Sequence, residues 1–311
     1  MAARRLPATV PTHTVTSLTP PRLASLPAER DQLEFSSRAG AFVFDGERLL
    51  RAWGPADRPW VLGVGPDGSR WRVEAWGAGP REARAAVRAL FSLDHPLEEF
   101  YRLVRHEPVL RGTESRFRGL RLPRDASLYE ALYHSILGQQ LSVRAVSLLK
   151  QRLVDRTSAF VEADGFRVPC PPSPDRIRSL GPSGMRDLGI SRAKSRAIAT
   201  LASDPVPLGA LERRLARIPI RGALHVLTES PGVGRWTAEN ALLRGIGRTD
   251  VFVAGDLGLR VALEKYGTIP RSAPESVVRA WGARRYPGWG SYATLYLWRR
   301  LVAERTAHGA G

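Results

Sequence analysis

The stretch LTESPGVGRWTAENALLRGIGRTDVFVAGD, residues 227–256, carries the most informative pattern in the chain. It predicts a helix, a glycine-rich turn at residues 231–234, a second helix from Arg235, and a loop that ends in the carboxylate of Asp256. Glycines let such a turn adopt positive φ and leave room for another surface close to the backbone. Backbone N–H groups at a helix N-terminus attract anions, so the turn is a candidate phosphate site. Many turns of this kind only connect two helices, so the turn alone assigns no function.

Four segments extend this pattern outward along the chain. They are, in order, SILGQQLS (135–142), SPGVGRWTAENALL (230–243), DVFVAGD (250–256) and WGSYATLYLW (289–298). On these segments the chain resembles the helix-hairpin-helix superfamily of DNA base-excision glycosylases, and within it the bacterial inducible 3-methyladenine DNA glycosylases. The resemblance implies an α+β fold, with a mainly α-helical glycosylase domain over residues 113–305. A small N-terminal α/β domain over residues 31–112 would precede it.

The composition is strongly basic. Lys and Arg together number 47 against 30 Asp and Glu, which gives a formal net charge of +17. An excess of this size attracts polyanions through long-range fields and counterion release. The lysines are Lys150, Lys194 and Lys265, so nearly all of the positive charge is arginine, whose planar fork suits phosphate. A general preference for arginine codons would give the same composition, so the charge agrees with a double-stranded DNA partner without identifying one.

Cysteine content and apolar runs narrow the class further. Cys170 is the single cysteine, so neither an intramolecular disulfide nor a cysteine metal cluster can form, and the iron–sulfur loop of some superfamily branches is absent. No apolar run reaches the roughly 18 residues of a membrane helix, and the N-terminus lacks a signal-peptide core. We expect a cytoplasmic monomer without membrane contact. Residues 1–30, rich in Pro, Thr and Ser, predict a flexible leader, and residues 306–311 a tail.

The spacing of apolar residues along the chain changes near residue 80. Before it, short apolar runs on either side of Pro66-Asp67-Gly68 predict paired strands. After it, REARAAVRALFSL and PLEEFYRLVRHEP have helical spacing, and everything beyond Leu128 is predicted to be helical. The predicted helices lie near 128–138, 142–155, 191–203, 221–229, 235–245, 256–266, 274–284 and 290–305.

The resemblance implies that Asp256 is the catalytic residue. Cleavage of an N-glycosidic bond builds positive charge on the sugar, as in other oxocarbenium-like reactions. A fixed carboxylate stabilises that charge and can orient or deprotonate the attacking water. The alternative is a helix N-cap, a role that aspartate often fills. Both roles can hold at once.

A target base must leave the stack to reach this carboxylate, and aromatic faces can receive it. The resemblance implies that Trp236 and Trp298 line the base pocket, with Trp289 and Tyr292 as further candidates. Each could instead pack the core. Asn240 stands where the resembled glycosylases carry a tyrosine, a departure from the family pattern that bears on the substrate range.

Two loops are predicted to contact DNA. The binding hairpin consists of Pro231, Gly232, Val233, Gly234, Arg235 and Thr237, and its carbonyl oxygens could hold a monovalent cation. The resemblance implies that the wedge loop, which consists of Gly138, Gln139 and Gln140, fills the gap left by a flipped nucleotide. Gln140 stands where the best-known relative has an apolar wedge. The alternative for this loop is an ordinary helix C-terminus.

Bifunctional members of the superfamily carry a lysine in the second hairpin helix, whose amine attacks the sugar. Trp236 occupies that position here, so the resemblance implies a monofunctional hydrolase. The expected substrates are alkylated purines of the 3-methyladenine and 7-methylguanine class, with hypoxanthine as a slower one. No cofactor or metal is expected. The alternatives are a glycosylase for oxidised or mismatched bases and a non-catalytic helix-hairpin-helix DNA-binding protein, which would not require Asp256.

Overall fold

The structure is a computed structural model. The structure describes residues 12–21, 24, 26, 42–54, 58–157, 159–203 and 208–308. The fold is α+β and mainly α-helical, with a small antiparallel sheet near the N-terminus, as predicted. Within these residues, none of the helices combines the length and the apolar character that a membrane span needs.

Over the described residues, the N-terminal sheet has five strands. They are β1 (His13–Leu18), β2 (Val43–Phe44), β3 (Leu49–Trp53), β4 (Trp60–Asp67) and β5 (Arg70–Trp76). All neighbours are antiparallel in the order β1-β5-β4-β3-β2. The predicted hairpin at residues 66–68 is confirmed as the β4–β5 turn, where Gly68 has a φ of 57°.

The predicted leader is wrong over His13–Leu18, because this segment is strand β1 and pairs with β5 from His13 opposite Trp76 to Leu18 opposite Trp71. Thr, Val and Leu in this segment suit a half-buried pleated surface. Residues 1–11, 22, 23, 25 and 27–30 of the predicted leader lie outside the described part of the chain, as do residues 309–311 of the predicted tail. The predicted tail is wrong over residues 306–308, which belong to the helix Gly290–His308.

In the described part of the chain beyond the sheet, helices form the fold together with a short hairpin. They are α1 (Pro80–Leu90), α2 (Leu97–Val104), α3 (Thr113–Arg116), α4 (Leu128–Gly138), α5 (Val143–Thr157), α6 (Pro174–Asp187, interrupted at Gly181), α7 (Arg192–Ser203), α8 (Leu208–Arg217), α9 (Ile220–Thr228), α10 (Arg235–Ala241, continued by a π-helical turn Leu242–Ile246), α11 (Leu257–Lys265), α12 (Glu275–Arg285) and α13 (Gly290–His308). The eight helices predicted beyond residue 128 are confirmed within a few residues. The prediction missed α6 and α8, and it was wrong at β6 (Phe160–Ala163) and β7 (Phe166–Pro169), which pair as a hairpin.

The boundary between the two cores also differs from the predicted residue 112. The core under the sheet ends at Leu93, whereas Leu97 and Phe100 of α2 are fully buried in the helical core. Helix α2 therefore belongs to the helical part, because its apolar face packs there.

Two features join the sheet to the helical part. The β6–β7 hairpin contributes Ala163 and Val168 to a small core shared with Leu50 and Val61 of the sheet. The guanidinium of Arg51 donates to Glu130 on α4 at 2.6 Å, with both side chains 1% exposed. The sheet thus braces the helix that ends at the wedge loop.

Candidate active site and nucleic-acid interface

The hairpin turn uses its two glycines differently. Gly232 has a φ of 82°, and a Cβ built there would lie 2.4 Å from Cβ of Ala197 on α7. Gly234 begins α10 with extended backbone, and a Cβ there would meet nothing within 4 Å. Gly232 is therefore required by the fold, while Gly234 leaves an open surface at the start of the helix.

Not every predicted hairpin residue faces solvent. Pro231, Gly234 and Arg235 are exposed, whereas Val233 and Thr237 are buried. Arg235 Nε lies 3.1 Å from Oε1 of Glu239 in the same helix. The exposed outer edge of the turn therefore consists of Pro231, Gly232, Gly234 and the half-exposed side chain of Arg235.

Asp256 is the N-cap of α11, so the N-cap interpretation is confirmed. Its carboxylate accepts from the backbone N–H of Leu259 at 2.8 Å. It also accepts from two indole N–H groups, Trp236 Nε1 at 3.1 Å on Oδ2 and Trp298 Nε1 at 2.8 Å on Oδ1. All three donors are neutral, so they orient the carboxylate without cancelling its charge. The side chain is partly exposed, which leaves the charge accessible.

The indole of Trp236 connects this carboxylate to the wedge loop. While its nitrogen contacts Asp256, its Cη2 atom lies 3.5 Å from the position a Cβ on Gly138 would take. One turn further along α10, Asn240 is 7% exposed and donates through Nδ2 to the carbonyl oxygen of Trp236 at 2.9 Å. Trp236, Trp298 and Asp256 therefore form a single cluster beside the wedge loop.

The structure places Trp289 and Tyr292 in a different cluster, which corrects the predicted pocket. Tyr292 is fully buried, and its hydroxyl lies 2.9 Å from Nδ1 of His95. The rings of Trp289 and Tyr292 lie 5.9 and 5.5 Å from that of Phe100. The physical reason is helical phase, because Trp298 lies six residues after Tyr292 and so points to another side of α13.

The wedge loop is tied to the hairpin. Gln139 Nε2 donates to the Gly232 carbonyl at 3.0 Å and to Thr237 Oγ1 at 2.9 Å. Gln140 is exposed and has a φ of 55°, an uncommon conformation for a residue with a side chain. Lys194 Nζ on α7 donates to the carbonyls of Leu137 at 2.9 Å and Gln139 at 2.7 Å. The sequence interpretation missed Lys194, although its rarity as one of three lysines was a signal.

A buried carboxylate braces the hairpin helix from behind. Glu239 is 1% exposed, and its Oε1 atom accepts from Arg235 and from Arg279 on α12. Burial raises the pKa of Glu239, and the two arginines oppose that shift. Glu239 was also missed, because nothing in the sequence pairs it with a residue on α12.

Asp125, Glu130 and His134 are the candidate metal-ligating group among the described residues. Their donor atoms lie within 4.8 Å of one another. Each carboxylate already has a cationic neighbour, since Glu130 pairs with Arg51 and Asp125 lies 3.5 Å from Arg244. Cations at these distances oppose a divalent ion by Coulomb repulsion. The group is better described as a buried charge network between the sheet and α4.

Known proteins are similar to this chain in sequence and in fold. The family model described as "HhH-GPD superfamily base excision DNA repair protein" matches residues 133–284. The DNA-3-methyladenine glycosylase of Bacillus subtilis (strain 168) is 29% identical over 230 residues, which are 74% of this chain and 75% of that protein. The B. subtilis protein YfjP is 32% identical over 211 residues, 67% of this chain and 69% of YfjP.

The solved structure of a 3-methyladenine DNA glycosylase from Archaeoglobus fulgidus has a TM-score of 0.79 and 25% identity, covering 92% of this chain and 97% of that one. The chain therefore belongs to the HhH-GPD superfamily of base excision DNA repair proteins. The resemblance seen in the sequence is confirmed.

Proposed function

We propose that this protein is a monofunctional DNA glycosylase that removes alkylated purines from double-stranded DNA by hydrolysis. The observation that carries the proposal is the carboxylate of Asp256, held by the indole N–H groups of Trp236 and Trp298. The names of the Bacillus and Archaeoglobus relatives support the 3-methyladenine class of substrate.

The chemistry needs a fixed anion beside the sugar. As the base departs, positive charge develops on the deoxyribose, and a preorganised carboxylate lowers the energy of that state. Oδ1 of Asp256 accepts from the backbone N–H of Leu259 and from Trp298, and Oδ2 accepts from Trp236, so the carboxylate needs little reorganisation during the reaction. The same carboxylate would orient the attacking water. Bases that already carry a positive charge leave without protonation, so no general acid is required.

The pocket would be formed by Trp236 and Trp298, with Asn240 behind Trp236. Indole faces attract cationic rings more strongly than neutral ones, which favours 3-methyladenine and 7-methylguanine over hypoxanthine. Trp289 and Tyr292 are left out, because they pack against Phe100.

We assign duplex binding to the hairpin and to the excess of basic residues in the chain. The open space at Gly234 would let a phosphate approach the N–H groups at the start of α10. A net charge of +17 supports a polyanionic partner. Pro231, Gly232 and Arg235 share this exposed edge, while Val233 and Thr237 support it from inside.

The positions of the three lysines support hydrolysis by water over attack of a lysine amine on the sugar. Lys194 donates to carbonyls at the wedge loop. Lys265 is the last residue of α11, about 13 Å along that helix from Asp256, and it pairs with Glu304 on α13. Lys150 lies in the charge network around Asp125. We further propose a monomer that works in the cytoplasm without a cofactor; a monovalent cation at the hairpin would assist only DNA binding.

One assay tests the proposal. Duplexes that each carry one defined lesion are incubated with the protein, and strands are analysed with and without hot alkali. We expect alkali-dependent cleavage and release of 3-methyladenine and 7-methylguanine, and none from Asp256→Asn. Cleavage without alkali would contradict the monofunctional mechanism. Release only of oxidised or mismatched bases would contradict the substrate class, and binding without any release would leave a DNA-binding protein.

A further inference from the structure

Lys194 on α7 lies against the C-terminus of α4, the helix that leads into the wedge loop. Its amine donates to the carbonyl oxygens of Leu137 and Gln139, at 2.9 and 2.7 Å. The last carbonyls of a helix lack partners within the helix and form the negative end of its dipole. A cation placed there donates to the unpartnered carbonyls and is attracted by the negative end of the dipole. Partial burial lowers the pKa of the Lys194 amine, so the carbonyls replace part of its hydration.

The carbonyl of Gln139 belongs to the same rigid peptide plane as the N–H of Gln140. Fixing the Gln139 oxygen therefore fixes the peptide plane relative to which the N–Cα bond of Gln140 rotates, and that rotation is the φ of Gln140. That φ is 55°, which is uncommon for L-residues with side chains and persists where the surroundings constrain it. Lys194 supplies such a constraint from outside the loop.

A second set of contacts holds the same loop to the hairpin. The side-chain amide of Gln139 donates to the Gly232 carbonyl and to Thr237 Oγ1. Gly232 in turn packs against Ala197, which lies one turn after Lys194 on α7. Helix α7, the hairpin and the wedge loop are thus connected in a closed set of contacts.

We propose that Lys194 is a positioning residue that holds Gln140 in the conformation that enters the DNA gap. It would act through the Gln139–Gln140 peptide and not by touching the reacting atoms. The inference rests on the proposed function for its DNA partner. It makes Lys194 necessary for filling the gap and unnecessary for general duplex binding.

The alternative is that Lys194 merely stabilises the end of α4. Loss of a helix cap would lower the melting temperature and reduce every activity together. Positioning makes a different prediction, because the effect of Lys194 should depend on the side chain at position 140. A double-mutant cycle measures that dependence.

The probe is a duplex with a tetrahydrofuran abasic analogue opposite 2-aminopurine, whose fluorescence reports how the partner base is stacked. We compare Lys194→Met, Gln140→Ala and the double variant with the parent, using Lys265→Met as the matched lysine control. Lys194→Gln, which keeps a neutral donor, serves if Lys194→Met melts too early to measure.

We expect Lys194→Met to weaken the fluorescence response and gap-duplex affinity about fivefold to tenfold, and undamaged-duplex affinity less than twofold. In the Gln140→Ala background the same change should add almost nothing. Equal losses in both backgrounds, or an equal loss on undamaged duplex, would overturn the inference. The readout involves no base release, so failure of the parent to excise any alkylpurine would contradict the proposed function separately.

Discussion

The indole nitrogen of Trp298 donates a 2.8 Å hydrogen bond to Oδ1 of Asp256, across 42 residues of chain. Oδ2 of the same carboxylate accepts from Trp236 at 3.1 Å. The side chains proposed to receive the base are therefore the ones that orient the proposed catalytic charge. A change in either ring should affect recognition and chemistry together, which makes the site testable by side-chain substitution.

Asp256→Asn should abolish base release while leaving DNA affinity within a few-fold of the parent. Asparagine keeps an oxygen for the Leu259 N–H and is as good an N-cap as aspartate, so the fold should persist. Loss of the charge should cost on the order of 3 kcal/mol or more in the transition state, about a hundredfold or more in rate. Single-turnover excision and binding to abasic duplex measure the two effects. Near-parental excision would remove Asp256 from the mechanism.

Trp298→Phe and Trp298→Ala should separate the two roles of this ring. Phenylalanine keeps an aromatic face but cannot donate to Asp256, whereas alanine removes both. We expect Trp298→Phe to slow release of neutral and cationic bases alike, and Trp298→Ala to cost the cationic bases about 1 kcal/mol more. Excision of hypoxanthine and 7-methylguanine is measured beside the melting temperature. A stable Trp298→Ala variant with parental kinetics on both would exclude Trp298 from the site.

The two hairpin glycines should respond differently to substitution. Gly232→Ala places a methyl group against Ala197 at a positive φ, so we expect a lower melting temperature. Gly234→Ala should be tolerated, because its Cβ meets open space. Gly234→Asp should weaken binding to damaged and undamaged duplex equally by repelling phosphate. A loss confined to lesion-containing duplex would reassign the hairpin to base recognition.

The Arg51–Glu130 pair should be essential for stability. Glu130→Gln leaves a guanidinium buried without a full countercharge, which costs about 3–5 kcal/mol for comparable pairs. Arg88→Met, which removes the exposed pair with Asp94, is the control and should change the unfolding free energy by less than about 1 kcal/mol. Denaturant unfolding of the two variants gives the comparison. Equal small losses would show that the sheet and α4 do not depend on this pair.

Acid should destabilise the protein partly through His95. Burial, with Arg124 and Arg121 nearby, lowers the pKa of His95 to about 4. His95 in the unfolded chain binds a proton near pH 6.5, whereas His95 in the folded protein binds one only near pH 4. The unfolding free energy therefore falls as pH drops from about 6.5 to 4, by about 3 kcal/mol. Burial lowers the pKa of His134 too, which adds in the same direction.

His95→Gln should flatten this pH dependence, and His225→Gln, whose side chain is 78% exposed, should not. Unfolding curves at pH 7 and pH 4.5 for both variants make the comparison. An unchanged slope in His95→Gln would assign the acid sensitivity to other groups.

Local signals in the sequence predicted the parts of the site that depend on a few neighbouring residues. The spacing of Gly232, Val233 and Gly234 predicted the hairpin turn, and Asp256 before an apolar helix predicted an N-cap, which the bond to Leu259 N–H confirms. The catalytic role of Asp256 stays a prediction, since it depends on DNA.

Features that depend on distant partners were missed or misplaced. Strand β1 is stabilised by β5 more than 50 residues later, and the Pro, Thr and Ser content around it hid a short alternating segment. The β6–β7 hairpin did have a local signal in Asp164-Gly165, both at positive φ, which is typical of a tight turn.

The side of α13 that each aromatic residue faces, and the carbonyls that Lys194 reaches, follow from packing between helices. For that reason Tyr292 was placed in the pocket and Lys194 was left out.

The left-handed conformation of Gln140 has a consequence for how quickly DNA could be searched. A loop that becomes ordered only on contact must lose conformational entropy at every position it tests. If the contacts of Lys194 and Gln139 hold Gln140 in this conformation before DNA binds, each encounter would begin with the wedge loop already ordered. The time spent at each base pair would then depend on how readily that pair opens, and weakened pairs around a lesion would be recognised first.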